Sequence, residues 1–277
     1  MRVNGTKGKK NHQGMKSRIR VYNERLRNAS ILVTLIILSI IVAFSGFVIY
    51  NITPDPTTNQ DIGHQNTGQL KAALIDALYA TEPNDLFTDT LVDTLHNEGF
   101  TVDIYQGETV TVDLLKNLPS GYKLLILRMH SALDKNNELY LFTGEPFVRE
   151  KYTGEQRFRL VKEAYATNES QSVFAVNWGF VKRCMTTKFN EALVIAMGCH
   201  GTCDQTIYDE FFKRGATAYV GWDGDVALFH SDKATLHLIQ TLYTEELTLR
   251  QAIEKTTEQI GPDPSYDSIL KCYYAQT

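Results

Sequence analysis

Apolar positions fall into two different regimes along this chain. Ile31 to Tyr50 reads ILVTLIILSIIVAFSGFVIY, twenty residues without a charge. At about 1.5 Å of rise per residue, a helix of that length spans roughly 30 Å, the thickness of a bilayer's hydrocarbon core. Its backbone hydrogen-bonds internally, so it can live in lipid. Secretory h-regions are shorter, about 7–15 residues. Here Asn51-Ile52-Thr53-Pro54 follows instead of a small-residue cleavage site. The expectation is a retained transmembrane helix over residues 31–50. Residues 51–69, NITPDPTTNQDIGHQNTGQ, carry almost no large apolar side chain and predict a linker.

From residue 70 to 277 the pattern changes to short apolar runs alternating with amphipathic ones. Lys71–Leu78, Thr101–Tyr105, Tyr122–Met129, Glu191–Met197 and Ala218–Trp222 read as strands. Thr88–Asn97, Thr109–Leu118, Tyr208–Arg214, Val226–Tyr243 and Leu249–Ile260 read as helices. Residues 131–188 look irregular, with a strand pair around Leu139–Thr143 and Val173–Val181. Tyr266–Tyr274 suggests an edge strand. Strands alternating with helices predict one α/β domain, doubly wound around a mainly parallel sheet.

Charge adds an orientation. The chain carries a net charge of −4, but residues 1–30 hold nine Lys or Arg against the single acid Glu24. No Lys or Arg follows the apolar segment until Lys71. Basic residues flank the cytoplasmic side of a span. The expectation is a single-pass membrane protein with a basic cytoplasmic tail over 1–30 and an extracytoplasmic domain over 70–277. The basic run is read as a flank touching anionic headgroups rather than as a nucleic-acid site.

Ligands of open parallel sheets bind beyond the carboxyl ends of the strands. Three such ends carry chemistry: Arg128-Met129-His130-Ser131, Met197-Gly198-Cys199-His200-Gly201 and Gly221-Trp222-Asp223-Gly224. A His and a Cys leaving neighbouring strands are what a thiol nucleophile needs, the imidazole taking the thiol proton. Gly198 and Gly201 let the chain turn sharply, so that the Cys199 amide can point at a developing oxyanion.

An apolar strand ending in His, followed by one ending in Cys-x-Gly, resembles the caspase-like cysteine peptidases (clan CD). Beyond the cysteine, Phe211 to Ala216, then AYVGW, Asp223 and a helix, are similar to the CHAT branch of that clan, as is TLRQAIEKTTEQIG. The resemblance covers about Leu70 to Gly261 and implies a caspase-like three-layer sandwich. It implies His130 as base or thiolate partner, Cys199 as nucleophile and the amides of Ser131 and Cys199 as oxyanion donors. It implies a peptide or protein substrate, no cofactor and no metal. Acids beside the cysteine would serve a basic pocket. Asp76 and Asp204 are candidates, and Trp222 and Asp223 are further pocket candidates, although Trp222 is most simply a core aromatic at a strand end and Asp223 a helix N-cap or turn residue.

Other readings of the same residues stay open. Cys199 can be an inert buried thiol, or can pair with Cys203 on an oxidising exterior, with Cys184–Cys272 as another pairing. CHxxC is not a familiar zinc spacing. The rival function is a non-catalytic sensor or binding domain on the same fold.

Overall fold

The computed structural model describes residues 70–166 and 171–276. The segments expected as cytoplasmic tail, transmembrane helix and linker lie outside the described residues. Among the described residues no helix is long and apolar enough to cross a membrane.

The principal sheet is built from β1 (Leu70–Asp76), β2 (Phe100–Gln106), β3 (Leu124–Arg128), β8 (Ala192–Ala196), β9 (Ala216–Trp222) and β10 (Leu270–Tyr274). Their order is β10-β9-β8-β3-β1-β2. All neighbours run parallel except β10, which pairs antiparallel to β9. A smaller antiparallel sheet joins β4 (Ser131–Leu133), β5 (Leu139–Pro146), β6 (Val161–Ala164) and β7 (Val173–Val176) in the order β4-β5-β7-β6.

Strand periodicity explains the layering. Strands β3 and β8, LLILR and ALVIA, are buried at every residue, so they read as continuous apolar runs rather than alternating ones. Successive side chains still point to opposite faces. Ala73, Ile75, Leu125, Leu127, Val194 and Ala196 enter one core with Leu139, Leu141, Phe174 and Val176 of the smaller sheet. Ala72, Leu74, Leu124, Ile126, Leu193 and Ile195 enter the other. That second core takes Leu91 and Leu95 of α1 (Asp85–Asn97), Leu238 of α6 (Leu228–Ile239) and Ala252 of α7 (Leu249–Ile260). Each fully buried Leu or Ile stabilises the fold by about 1.5–3 kcal/mol.

Several boundaries differ from the pattern-based expectation for local reasons. The helix expected over Thr109–Leu118 is a single 3₁₀ turn at Gly107–Thr109 followed by α2 (Val112–Lys116), capped by Thr111. Val173–Val181 divides. Asn177 accepts from Phe180 N and turns the chain into α4 (Trp178–Arg183). The irregular stretch also holds α3 (Thr153–Arg157) and β6. Helix α6 ends at Ile239 in a wide turn over Gln240–Thr244. The edge strand starts at Leu270 rather than Tyr266, because Asp263 holds the preceding turn by accepting from Ser265 N and Tyr266 N.

Candidate active site

The chain leaves the principal sheet at Arg128 and enters the smaller one at Ser131, so His130 sits at the joint between them. Cys199 leaves β8, the parallel neighbour of β3. The two strand ends touch. Ser131 Oγ donates to the Cys199 carbonyl at 2.6 Å. A side-chain carbon at Gly198 would collide with Ser131 Oγ and the Met129 carbonyl, so only glycine fits there. Both strand ends open into one cleft of about 890 Å³, lined by Met129, His130, Ser131, Met197, Gly198 and Cys199 among others.

The opposite walls come from distant segments. Ala132, Phe142 and Val173 of the smaller sheet line one side, and Asp225, Val226 and Leu228 another. The His130 ring meets Phe142 edge-on at 6.3 Å between centroids, and Phe142 N donates to the His130 carbonyl at 2.8 Å.

Cys199 is half-buried and its sulfur contacts the start of the α6 segment. Val226 N–H donates to Sγ at 3.4 Å, and Sγ lies 3.7 Å from the Val226 carbonyl. Burial pushes the thiol's pKa up; the Val226 amide opposes this, and the Asp225 carboxylate adds to the rise. The resting thiol therefore keeps its proton at neutral pH. Chemistry at this sulfur needs a base that removes the proton as the new bond forms.

The turn after Cys199 is anchored to the loop beyond β9. His200 adopts a left-handed conformation (φ 57°) and its N–H donates to the Gly224 carbonyl at 2.8 Å. Its Nε2 pairs with Asp225 Oδ1 at 3.0 Å, and its Nδ1 lies 3.7 Å from Cys203 Sγ. Asp225 is held in turn by Ser268 Oγ, which donates to its carbonyl at 2.6 Å. All four cysteines are free thiols. Neither the Cys199–Cys203 nor the Cys184–Cys272 crosslink is present. Among the described residues no three His, Cys, Asp or Glu side chains converge so as to hold a metal ion.

The structure brings together His130, Ser131, Gly198 and Cys199, and it places the remaining candidates elsewhere. Asp76 does not reach the cleft. It is fully buried and pairs with Arg128 Nη1 at 2.9 Å. Burial raises its pKa, with Arg128 opposing. Arg128 also grips Asp232 through Nε (2.9 Å) and Nη2 (3.1 Å) and donates to the Glu82 carbonyl. Asp204 is a buried cap, accepting from Thr206 N at the start of α5 (Gln205–Lys213) and from Leu139 N. Trp222 is a core side chain. Its Nε1 donates to Ser231 Oγ, which donates to the Met197 carbonyl and so fixes the strand end before Gly198. Asp223 accepts from Ile269 N and meets Lys271 at 3.5 Å, and helix α6 begins five residues later, so it is a turn anchor. Gly201 packs against Ala196 and Gly221, away from the cleft lining.

Asp225 and Val226 are residues around Cys199 that the sequence pattern does not single out, and His200, weighed there only in the CHxxC spacing, pairs with Asp225 instead. The signal for Asp225 is the second acid of the Trp222-Asp223-Gly224-Asp225 turn.

No protein-family model matches the sequence, and no curated protein is significantly similar to it. Among solved structures, the chain is similar to the crystal structure of the Drosophila initiator caspase Dronc. The two are 8% identical, with 80% of this chain and 91% of that chain covered and a TM-score of 0.40. A likeness of that size carries no argument about chemistry. What stands independently of it is a mainly parallel α/β sheet with a His and a Cys at the ends of adjacent strands.

Proposed function

We propose that residues 70–277 form a caspase-like cysteine peptidase domain, tethered to a membrane by residues 31–50 and facing away from the cytoplasm. The observation that supports the chemistry best is the meeting of the His130 and Cys199 strand ends in one cleft, joined by the Ser131–Cys199 hydrogen bond.

In this reading the Cys199 sulfur attacks the peptide carbonyl carbon while its proton passes to His130. The carbonyl oxygen becomes an oxyanion, and in this reading the amides of Ser131 and Cys199 receive it. Collapse expels the amine, which takes the proton from His130 and leaves a thioester on Cys199. Water, deprotonated by His130, then releases the acid and restores the thiol. The raised thiol pKa suits proton transfer during attack rather than a preformed ion pair.

The test uses the full chain in detergent micelles with a mixed peptide library, cuts being read by mass spectrometry. Cleavage lost in Cys199→Ala supports the proposal; cleavage that persists in Cys199→Ala contradicts it.

A second reading, a binding domain without catalysis, draws support from the same protonated, half-buried thiol. It predicts peptides that shield Cys199 from alkylation and are never cut.

A further inference from the structure

A second thiol, Cys203, follows Cys199 in the same turn. That turn closes tightly: His200 is left-handed, and Cys203 N–H donates to the His200 carbonyl at 2.9 Å. The closure carries the Cys203 sulfur to 3.7 Å from His200 Nδ1. On the far side of the same ring, Nε2 meets Asp225 Oδ1 at 3.0 Å. Two backbone bonds fasten the turn to the loop that carries Asp225: His200 N to the Gly224 carbonyl at 2.8 Å, and Thr202 N to the Trp222 carbonyl at 3.0 Å. Thiol, imidazole and carboxylate therefore form a chain, each within reach of the next.

The two ring nitrogens have different tasks. A neutral imidazole that donates from Nε2 to a carboxylate leaves Nδ1 as an acceptor. The Cys203 sulfur also lies 3.3 Å from the Asp223 carbonyl. A carbonyl can hold the thiol hydrogen but cannot take the proton. Nδ1 can take it, and Asp225 then steadies the imidazolium. A base matters here, because burial raises the thiol's pKa and Asp223 and Asp225 add to the rise, so the resting sulfur keeps its proton. Cys203 is the exposed member of the four cysteines, whereas Cys184, Cys199 and Cys272 are half-buried. Neither Cys203 nor His200 lines the cleft that holds Cys199. The group faces solvent, where small reagents reach it.

From this geometry we infer that Cys203 is a modification site for low-molecular-weight disulfides, with His200 as its base and Asp225 as the residue that positions the ring. The inference goes beyond the reading of Cys199 as a nucleophile and does not depend on it. In the exchange, His200 Nδ1 takes the thiol proton as Cys203 Sγ bonds to one sulfur of the disulfide. The S–S bond breaks, its electron pair leaves on the other sulfur, and that thiolate takes the proton back from His200. One disulfide is consumed, one free thiol is released, and a mixed disulfide remains on Cys203.

The test treats the full chain in detergent micelles with hydroxyethyl disulfide, a small uncharged reagent. Samples are quenched in acid and digested without reduction, and the mixed disulfide at each cysteine is followed by mass spectrometry. Cys203 should react faster than Cys184 and Cys272. In His200→Asn, where the new residue still tolerates the left-handed turn, the Cys203 rate should fall about tenfold or more. Asp225→Ala gives a prediction of sign. Loss of a neighbouring negative charge alone would speed the reaction, whereas loss of the ring's partner should slow it severalfold. A loosened fold would expose Cys184 and raise its rate, so a fall at Cys203 with Cys184 unchanged belongs to the group itself. Cys199→Ala should leave the Cys203 rate as it is, because the disulfide is not passed on from Cys199. An undiminished Cys203 rate in His200→Asn overturns the inference. So does a rate in Asp225→Ala equal to or above that of the unsubstituted chain, a rate lost in Cys199→Ala, or a Cys203 that reacts no faster than Cys184.

Discussion

Two groups of carboxylates at the carboxyl edge of the sheet have opposite fates. At the ends of β1 and β3, Asp76 and Asp232 are buried and closed around Arg128, with Asn84 donating to Asp232 at 2.9 Å. At the ends of β8 and β9, Asp225 is half-exposed, meets an imidazole and borders the cleft that holds Cys199. The first group has its partners within the fold, and it ties β1, β3 and α6 together beneath the His130 joint. The second leaves negative charge facing open space beside a thiol. An acid near a strand end is thus not by itself a sign of a substrate pocket. What separates framework from site is whether the carboxylate is buried with its partners or stands at the rim of open space.

The largest effect that would test this contrast is expected at Arg128. Arg128→Ala leaves two buried carboxylates facing each other and should cost about 3–5 kcal/mol of stability. Thermal unfolding of the full chain would show it, and an unchanged melting temperature would mean that the buried group is not the framework described.

A middle-sized effect is expected at Asp263, which is fully buried and holds the start of α6 by accepting from Ala227 N at 2.8 Å. Burial disfavours its charge, but donated amides from Ala227, Ser265 and Tyr266 outweigh that and hold its carboxyl below the usual range. A carboxylate with a lowered folded-state pKa adds stability above its unfolded pKa and loses it as pH falls through the folded value. Asp263→Ala should lose about 1–3 kcal/mol near neutrality. The difference from the unsubstituted chain should shrink in acid. A constant difference from pH 7 to pH 3 would contradict the assignment.

The smallest effect belongs to the exposed group. Asp225→Asn removes one cause of the raised Cys199 pKa, so iodoacetamide should modify Cys199 about two- to fivefold faster at neutral pH. Stability should stay nearly unchanged. Slower modification would reverse the electrostatic picture.

The layered fold is readable in the residues because fully buried strands such as LLILR and ALVIA cannot hide their apolar character. His130, Ser131, Gly198 and Cys199 are readable for the same reason, since they follow such runs directly. The fate of the acids is not readable. Asp76 and Arg128 lie 52 positions apart, and Arg128 and Asp232 lie 104 apart, so no local pattern reveals their pairing. Asp225 stands two residues beyond Asp223 in one turn, and only the bonds of Ile269 and Lys271 to Asp223 decide which acid is an anchor. Trp178–Val181 reads as strand because its apolar residues continue those of Val173–Val176. The cap at Asn177 is the sign that the chain turns into helix.

The central claim is that His130 acts on Cys199. Its most direct test compares the rate at which a peptidyl acyloxymethyl ketone modifies Cys199 in the full chain and in His130→Ala, with melting temperature measured in parallel. Removal of a general base should slow modification by about 100-fold or more with little change in melting temperature. Equal rates in two equally stable proteins would contradict the claim.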